Sequence, residues 1–96
     1  MKVIVSAHAK RDALNTYSYL VSRNPAAADR IIQHVERKIE QLREFPLIGP
    51  PRPRLAAGVR AAVVGTHLVL YKVDDEAVIV LRIIDGRMDV DEEFRH

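Results

Sequence analysis

The run AVIVLRII at residues 77–84 constrains the fold more than any other stretch of this sequence. It is apolar almost throughout, and its one charged residue is Arg82. A strand that is solvated on one face alternates apolar and polar residues, whereas a continuous apolar run is typical of a strand covered on both faces. We therefore predict that residues 77–84 form a central strand of a sheet.

Three other runs have the composition of strands. KVIVS (residues 2–6) is short and β-branched, and VRAAVV (59–64) and HLVLYKV (67–73) precede the central run. Gly65-Thr66 and Asp74-Asp75-Glu76 separate the last three runs, and such short polar connections are typical of hairpins. We expect three hairpin-linked strands, with the first run added beside the last of them.

Two amphipathic helices are predicted between the first strand and the hairpins. Apolar residues recur at helical spacing from His8 to about Arg23, and again from Pro25 to Phe45. Asn24 separates the helices because Asn caps a helix well and Pro is tolerated at the first helical position. Pro46 ends the second helix, since the residue before a proline is disfavoured in the helical region. The predicted apolar stripes are Ala9, Ala13, Leu14, Tyr17, Leu20 and Val21, and then Ala28, Ile31, Ile32, Val35, Ile39, Leu42 and Phe45.

The order strand, helix, helix, strand, strand, strand predicts an α+β fold, in which a helical hairpin packs on a mainly antiparallel four-stranded sheet. Ninety-six residues suffice for one core, so we predict a single domain over residues 1–96. The chain has no cysteine, and its N-terminal apolar stretch is too short for a signal peptide or a membrane span. We therefore expect a cytoplasmic protein that does not associate with a membrane.

No cofactor or metal site is expected. The glycines are isolated and none opens a helix after a strand, so the chain has no phosphate-binding glycine loop. The histidines are scattered without metal-ligand spacing. The acids Asp89, Asp91, Glu92 and Glu93 have the chemistry of magnesium ligands, but acids in the first turn of a short helix are more often explained by the helix dipole.

The stretch EFPLIGPPRPRLAAGVR (residues 44–60) is a connection rich in proline and arginine. Between Phe45 and Val73 the chain carries Arg52, Arg54, Arg60 and Lys72 and no acid, whereas residues 85–96 hold five acids and two arginines. Connections of this length are usually functional, covered by a partner or disordered. The uneven charge fits an anionic partner, either nucleic acid or an acidic protein, and also fits an ordinary solvated surface.

Cations on the predicted strands are the candidate binding residues. Arg60, Lys72 and Arg82 lie on three strands, and Arg87 follows the last one. Side chains of neighbouring antiparallel strands can converge on one face, and arginine forks suit phosphates or peptide carboxylates. Alternatively, each arginine pairs with a nearby acid or extends into solvent at the edge of the sheet.

Four groups of residues, taken in order, form a recognisable pattern. They are Asn24-Pro25-Ala26-Ala27 between the helices, Leu42 with Pro46 and Gly49 after the second helix, Arg60 with Gly65 and Tyr71 in the hairpin, and the segment from Arg82 to Asp89. This pattern covers nearly the whole chain and resembles the ParE/RelE superfamily of type II toxins. The resemblance implies the fold described above. It also implies a toxin held inactive in a hetero-oligomer by a cognate antitoxin, which wraps it as a helix and an extended strand.

The resemblance implies one of two activities. RelE-like members cleave mRNA in the ribosomal A site without a metal; Arg60 and Arg82 would then stabilise the phosphate, with His67 and Tyr71 as acid–base candidates. ParE-like members inhibit DNA gyrase and are not known as enzymes. The C-terminal His or Tyr of RelE-like enzymes is missing from IIDGRMD (residues 83–89), and the GRMD ending is similar to ParE-like sequences. Asp85 stands where ParE-like chains usually have a histidine, and an acid there would repel a phosphate.

We therefore expect a ParE-like gyrase inhibitor. The alternatives are a RelE-like ribosome-dependent endoribonuclease and a non-toxic module that only binds an antitoxin. The expected partners are an antitoxin and gyrase, and direct binding of nucleic acid is not favoured. The residues predicted to bind the target or the antitoxin are Arg52, Arg54, Arg60, Lys72, Arg82 and Arg87. We expect His67 to be exposed at the start of its strand and Tyr71 to be packed.

Overall fold

The computed structural model describes residues 1–95. The elements along this part of the chain are β1 (Lys2–Val5), α1 (Ala7–Val21), α2 (Pro25–Glu44), β2 (Arg60–Val64), β3 (His67–Val73), β4 (Ala77–Asp85) and α3 (Val90–Arg95). Their order confirms the predicted strand, helical hairpin and three strands, and the short helix α3 follows the last strand. None of the helices in residues 1–95 has the length and apolar character needed to cross a membrane.

The strands form one mixed sheet in the order β1-β4-β3-β2. The pairs β2–β3 and β3–β4 are antiparallel, and β1 is parallel to β4. β4 therefore has a neighbour on each side, as its continuous apolar run predicted, and β1 lies beside it as expected. A register shift between Leu70 and Tyr71 interrupts the β3–β4 ladder, so that Leu70 lies opposite Arg82 and Tyr71 opposite Val80.

The helix boundaries follow from side-chain caps. Ser6, predicted as the end of the first strand, is instead the N-cap of α1: its hydroxyl accepts a hydrogen bond from the Ala9 N–H (3.0 Å) and donates to the Leu81 carbonyl (2.9 Å). Asn24 caps α2 by accepting from the Ala27 N–H at 3.1 Å, with Pro25 as the first helical residue. Both caps satisfy N–H groups that have no partner within the helix.

Apolar side chains cover both faces of the sheet. The inner core lies between the sheet and the two long helices and consists of Ala9, Val35, Leu42, Ala62, Val64, Val69, Tyr71, Val78, Val80 and Ile83. The outer core lies on the opposite face and consists of Val59, Ala61, Leu68, Leu70 and Ile84, packed against Leu55, Ala56, Val90 and Phe94. The proline-rich connection and α3 thus form the second cover that β4 requires.

The proline-rich connection is bonded to the sheet along part of its length. The Ala61 N–H donates to the Pro50 carbonyl at 3.0 Å, and the Arg52 N–H donates to the Val59 carbonyl at 2.7 Å. Leu55 and Ala56 then pack on the outer core. The connection is therefore a structured crossover, in agreement with the stiffness that its prolines predict.

Two predicted core residues are exposed. Leu14, placed on the apolar stripe of the first helix, is 64% exposed, and Phe45, at the end of the second stripe, is 52% exposed. Phe45 follows the last residue of α2 as its C-cap, so the helical stripe no longer determines where its side chain lies.

Candidate functional site

A cleft of about 370 Å³ opens between α1 and one end of the sheet. We define the cleft by its lining residues, which are Asn15, Thr16, Tyr19 and Leu20 of α1, His67 of β3, Asp85 of β4, and Arg87 and Met88 beyond it. The α1 residues share one side of the helix because side chains four positions apart are neighbours. His67 and Asp85 meet because they are partners in the β3–β4 ladder.

Arg87 and Asp85 form an ion pair at the cleft. Arg87 donates from Nη2 to Asp85 Oδ2 at 2.6 Å and from Nε to Oδ1 at 3.0 Å, and its backbone N–H also reaches Oδ1 at 2.9 Å. The Arg87 hydrogen bonds lower the pKa of Asp85 to about 2, and the carboxylate raises the pKa of Arg87. Asp85, the acid that was expected to repel a phosphate, therefore has its negative charge balanced by Arg87. The charge offered to a ligand comes from Arg87, whose side chain is 73% exposed.

His67 is buried at the cleft rather than exposed, so the expectation of a solvated imidazole was wrong. Only 8% of its surface is accessible. His67 lies between Val64 of β2 and Asp85 of β4 in the sheet, and residues of α1 line the same cleft. Burial lowers the pKa of His67; the Asp85 carboxylate opposes that shift and Arg87 adds to it. A pKa below the usual 6.5 leaves the imidazole mainly neutral at pH 7.

Arg82 is enclosed in the protein and does not join the cleft. Its Nε and Nη2 donate to the two carboxylate oxygens of Asp12 at 2.7 and 3.1 Å, and its Nη1 donates to the Glu93 carbonyl. The Asp12 carboxylate also accepts the Ile83 N–H at 2.9 Å. The side chains of Arg82 and Asp12 are 8% and 13% exposed. This ion pair connects α1, β4 and α3. The guanidinium of Arg82 is therefore not accessible for the binding role predicted from the sequence.

Arg60 and Tyr71 hold the chain that follows α2. The Tyr71 hydroxyl, at a residue with no exposed surface, accepts the Gly49 N–H at 2.9 Å. Arg60 donates from Nη1 to the carbonyls of Gly49 (2.7 Å) and Leu47 (3.2 Å). Burial raises the pKa of Tyr71, so its hydroxyl stays protonated. Tyr71 is therefore packed, as predicted, and Arg60 is partly engaged by the backbone.

The predicted cations do not form one cluster. Arg52, Arg54, Lys72 and Arg87 are exposed, Arg60 is half-buried and Arg82 is buried. Arg60 begins β2, whereas the cleft lies where β2 ends and β3 begins, about 13 Å away at ~3.3 Å per residue. Within residues 1–95 no group of three acidic or histidine side chains is placed to hold a metal ion.

Comparison with known proteins identifies the family. The sequence model of the family described as "ParE toxin of type II toxin-antitoxin system, parDE" matches residues 3–90. The chain belongs to this family. It is also 37% identical over 59 residues to Toxin ParE3 of Caulobacter vibrioides, a match that spans 62% of this chain and 59% of that relative's length. The resemblance inferred from the sequence motifs is confirmed.

Two solved structures are similar to this ParE-family protein. A chain of the chromosomal ParDE system from P. aeruginosa superimposes with a TM-score of 0.77 at 22% identity. A chain of the RelBE2 toxin–antitoxin complex from Mycobacterium tuberculosis gives a TM-score of 0.62 at 30% identity. Each match covers 88% of this chain and 95% of the other. These structures confirm the α+β fold.

Sequence reasoning missed the contribution of α1 to the cleft. Tyr19 was available as a signal because it lies off the apolar stripe of α1, and a large aromatic residue there must be exposed. Asp12 was a second signal. It lies between Ala9 and Ala13 on the packed side of the helix, where an acid requires a buried partner.

Proposed function

We propose that this toxin inhibits DNA gyrase, as the ParE-like resemblance implies, and that a cognate antitoxin neutralises it in the cytoplasm. The observation that carries the proposal is that the candidate residues for RNA cleavage are engaged or far apart. Arg82 is paired with Asp12, and the Tyr71 hydroxyl is buried against Gly49. The family assignment and the ParDE and RelBE2 systems among the similar proteins support an antitoxin as partner.

The spacing along β3 adds to this argument. Metal-free cleavage of RNA needs a general base and a general acid within hydrogen-bond reach of one phosphodiester. His67 and Tyr71 lie four residues apart on the same strand, which is about 13 Å at ~3.3 Å per residue. One phosphodiester cannot contact both side chains, so this pair supports a binding protein better than a ribonuclease.

One observation favours the RelE-like alternative. The cleft holds a mainly neutral imidazole, His67, and an exposed guanidinium, Arg87, on neighbouring strand ends. A neutral imidazole can accept a proton from a 2′-hydroxyl, and an arginine can stabilise phosphate charge. If this alternative holds, His67→Gln should abolish messenger cleavage while the protein stays folded.

The test is to induce the protein alone in a bacterial host and to assay the same extracts twice. Gyrase inhibition predicts stabilised gyrase–DNA cleavage complexes, loss of supercoiling and intact messages. Cuts at ribosomal A sites with normal supercoiling would overturn the proposal. Absence of any growth defect would favour the non-toxic antitoxin-binding module.

A residue comparison sharpens this test. Arg87→Ala removes the exposed cation of the cleft, and we expect it to lower gyrase inhibition by about tenfold or more, as for loss of an interface contact. Arg37→Ala removes an exposed cation from the polar side of α2 and serves as the control. Equal losses of gyrase inhibition in the two variants would show that the cleft has no special part in this activity.

A further inference from the structure

Three large apolar side chains project into solvent just after α2. Phe45 is 52% exposed, Leu47 is 64% exposed and Ile48 is 44% exposed. We call residues 45–48 the apolar loop. So many exposed apolar side chains within four residues are a feature of surfaces that a partner covers.

The backbone of the apolar loop is fixed by hydrogen bonds to the buried Tyr71 and the half-buried Arg60. The Gly49 N–H donates to Tyr71, and Arg60 donates to the carbonyls of Leu47 and Gly49. The Ile48 N–H donates to the Phe45 carbonyl at 3.3 Å. A Cβ at Gly49 would lie 2.7 Å from the Tyr71 hydroxyl oxygen, so the loop sits directly on the sheet. A loop that is already ordered loses little conformational entropy when it binds.

The charges near the apolar loop specify the partner. Residues 45–73 contain four cations and no acid, and three of these cations, Arg52, Arg54 and Lys72, are exposed. Arg60, the fourth, contacts the loop itself. The exposed acid Glu44 directly precedes the apolar loop, whereas every charged residue from there to Val73 is a cation. An apolar surface with this excess of cations on its C-terminal side is complementary to a segment that has one apolar face and acidic residues beside it.

We propose that the apolar loop, with Arg52 and Arg54, is the surface that binds the acidic, amphipathic segment of the antitoxin. The existence of that antitoxin rests on the function proposed above. The loop contacts Arg60 at the start of β2, and the cleft lies at the other end of that strand. Contact with the antitoxin and contact with the target therefore use separate surfaces, and single substitutions can impair one without the other.

The first experiment compares two leucines of equal exposure. Leu47 of the apolar loop and Leu14 of α1 are both 64% exposed, so an aspartate at either position should leave the unfolding midpoint nearly unchanged. The probe is the product of whichever gene lies directly upstream of the gene for this protein, titrated calorimetrically into each purified toxin variant. We expect Leu47→Asp to weaken binding at least about tenfold and Leu14→Asp less than about threefold, in line with the effects of truncating central and peripheral contacts.

The second experiment tests the charges. The double variant Arg52→Glu, Arg54→Glu should slow association with the same probe by about fivefold or more at low salt, and the difference should shrink at high salt. Arg37→Glu, in the polar stretch of α2, is the control and should leave the association rate nearly unchanged. Equal effects at Leu47 and Leu14, or at the loop arginines and Arg37, overturn the proposal.

Further outcomes separate this proposal from the proposed function. If the wild-type toxin binds the probe but leaves gyrase unaffected, the gyrase target is wrong and the leucine comparison still decides the binding surface. If the upstream product does not bind, both the proposed antitoxin and the proposed binding surface are wrong. If Leu47→Asp instead abolishes self-association of the toxin and spares probe binding, the occupant is a second copy and the proposal is wrong. Growth arrest by Leu47→Asp that the upstream product fails to relieve would support it.

Discussion

Removing the Asp12 carboxylate should destabilise the protein far more than removing an ordinary surface acid. Asp12 accepts three hydrogen bonds, two from Arg82 and one from the Ile83 N–H, and both side chains of the ion pair are nearly buried. Asp12→Ala therefore leaves a guanidinium enclosed without its counter-charge and a backbone N–H without its acceptor. Breaking a buried pair in this way costs about 3–5 kcal/mol. That is a large part of the ~5–15 kcal/mol that stabilises a typical domain.

The control is Glu40→Ala. Glu40 pairs with Arg43 at 2.9 Å, but the two side chains are 63% and 48% exposed, so the expected loss is about 0–1 kcal/mol. The assay is equilibrium unfolding in urea, followed by circular dichroism. A double variant, Asp12→Leu with Arg82→Met, removes both charges and should recover part of the stability lost in Asp12→Ala. A loss below about 1 kcal/mol for Asp12→Ala would refute the claim that this pair is a buried structural link.

Three further predictions concern the loop anchor and the cleft. Gly49→Ala places a Cβ 2.7 Å from the Tyr71 hydroxyl oxygen and should lower the free energy of unfolding by about 1–3 kcal/mol, measured in urea; an unchanged midpoint would show that the loop is not held tightly. His67 should titrate below 6.5 by NMR. Asp85→Asn should lower its pKa further and Arg87→Ala should raise it, and shifts in the same direction would contradict the assigned causes. The lowering of the Asp85 pKa from 3.8 to about 2 in the folded state stabilises the protein above pH 4, and that contribution should disappear as the pH falls from about 4 to 2 in the wild type. It should be smaller in Arg87→Ala, which loses the side-chain hydrogen bonds and keeps the backbone N–H bond to Asp85 Oδ1.

The fold was largely predictable because local patterns and tertiary burial agree. The continuous apolar run of β4 required covers on both faces, and the structure supplies the helices on one and the proline-rich connection with α3 on the other. Asn24-Pro25 and Pro46 marked the helix ends through the backbone chemistry of single residues. The boundary at Ser6 was missed because its hydroxyl serves α1 and β4 at once, and the bond to Leu81 spans 75 positions.

The candidate site was less predictable because side-chain pairing depends on distances across the fold. Strand alternation placed Arg82 and Arg60 on a sheet, but it carries no information about Asp12, which is 70 positions away, or about the carbonyl of Leu47. His67 was misjudged because a strand start is usually solvated, whereas here α1 crosses beside it. Arg87 is the predicted cation that the structure leaves exposed at the cleft. It pairs with Asp85, which is only two residues away.

The position of Arg82 changes how its substitution should be interpreted. Asp12, its partner, lies on α1 one turn before the cleft residues Thr16 and Asn15. The ion pair therefore sets the distance between the α1 wall of the cleft and the end of β4, which carries Asp85. Loss of activity in Arg82→Ala would follow from displacement of α1 and would be accompanied by a lower unfolding midpoint. Loss in Arg87→Ala would occur in a protein whose core is intact, because Arg87 contributes no buried contact. A folding measurement beside each activity assay thus separates the residue that builds the cleft from the residue that presents its charge.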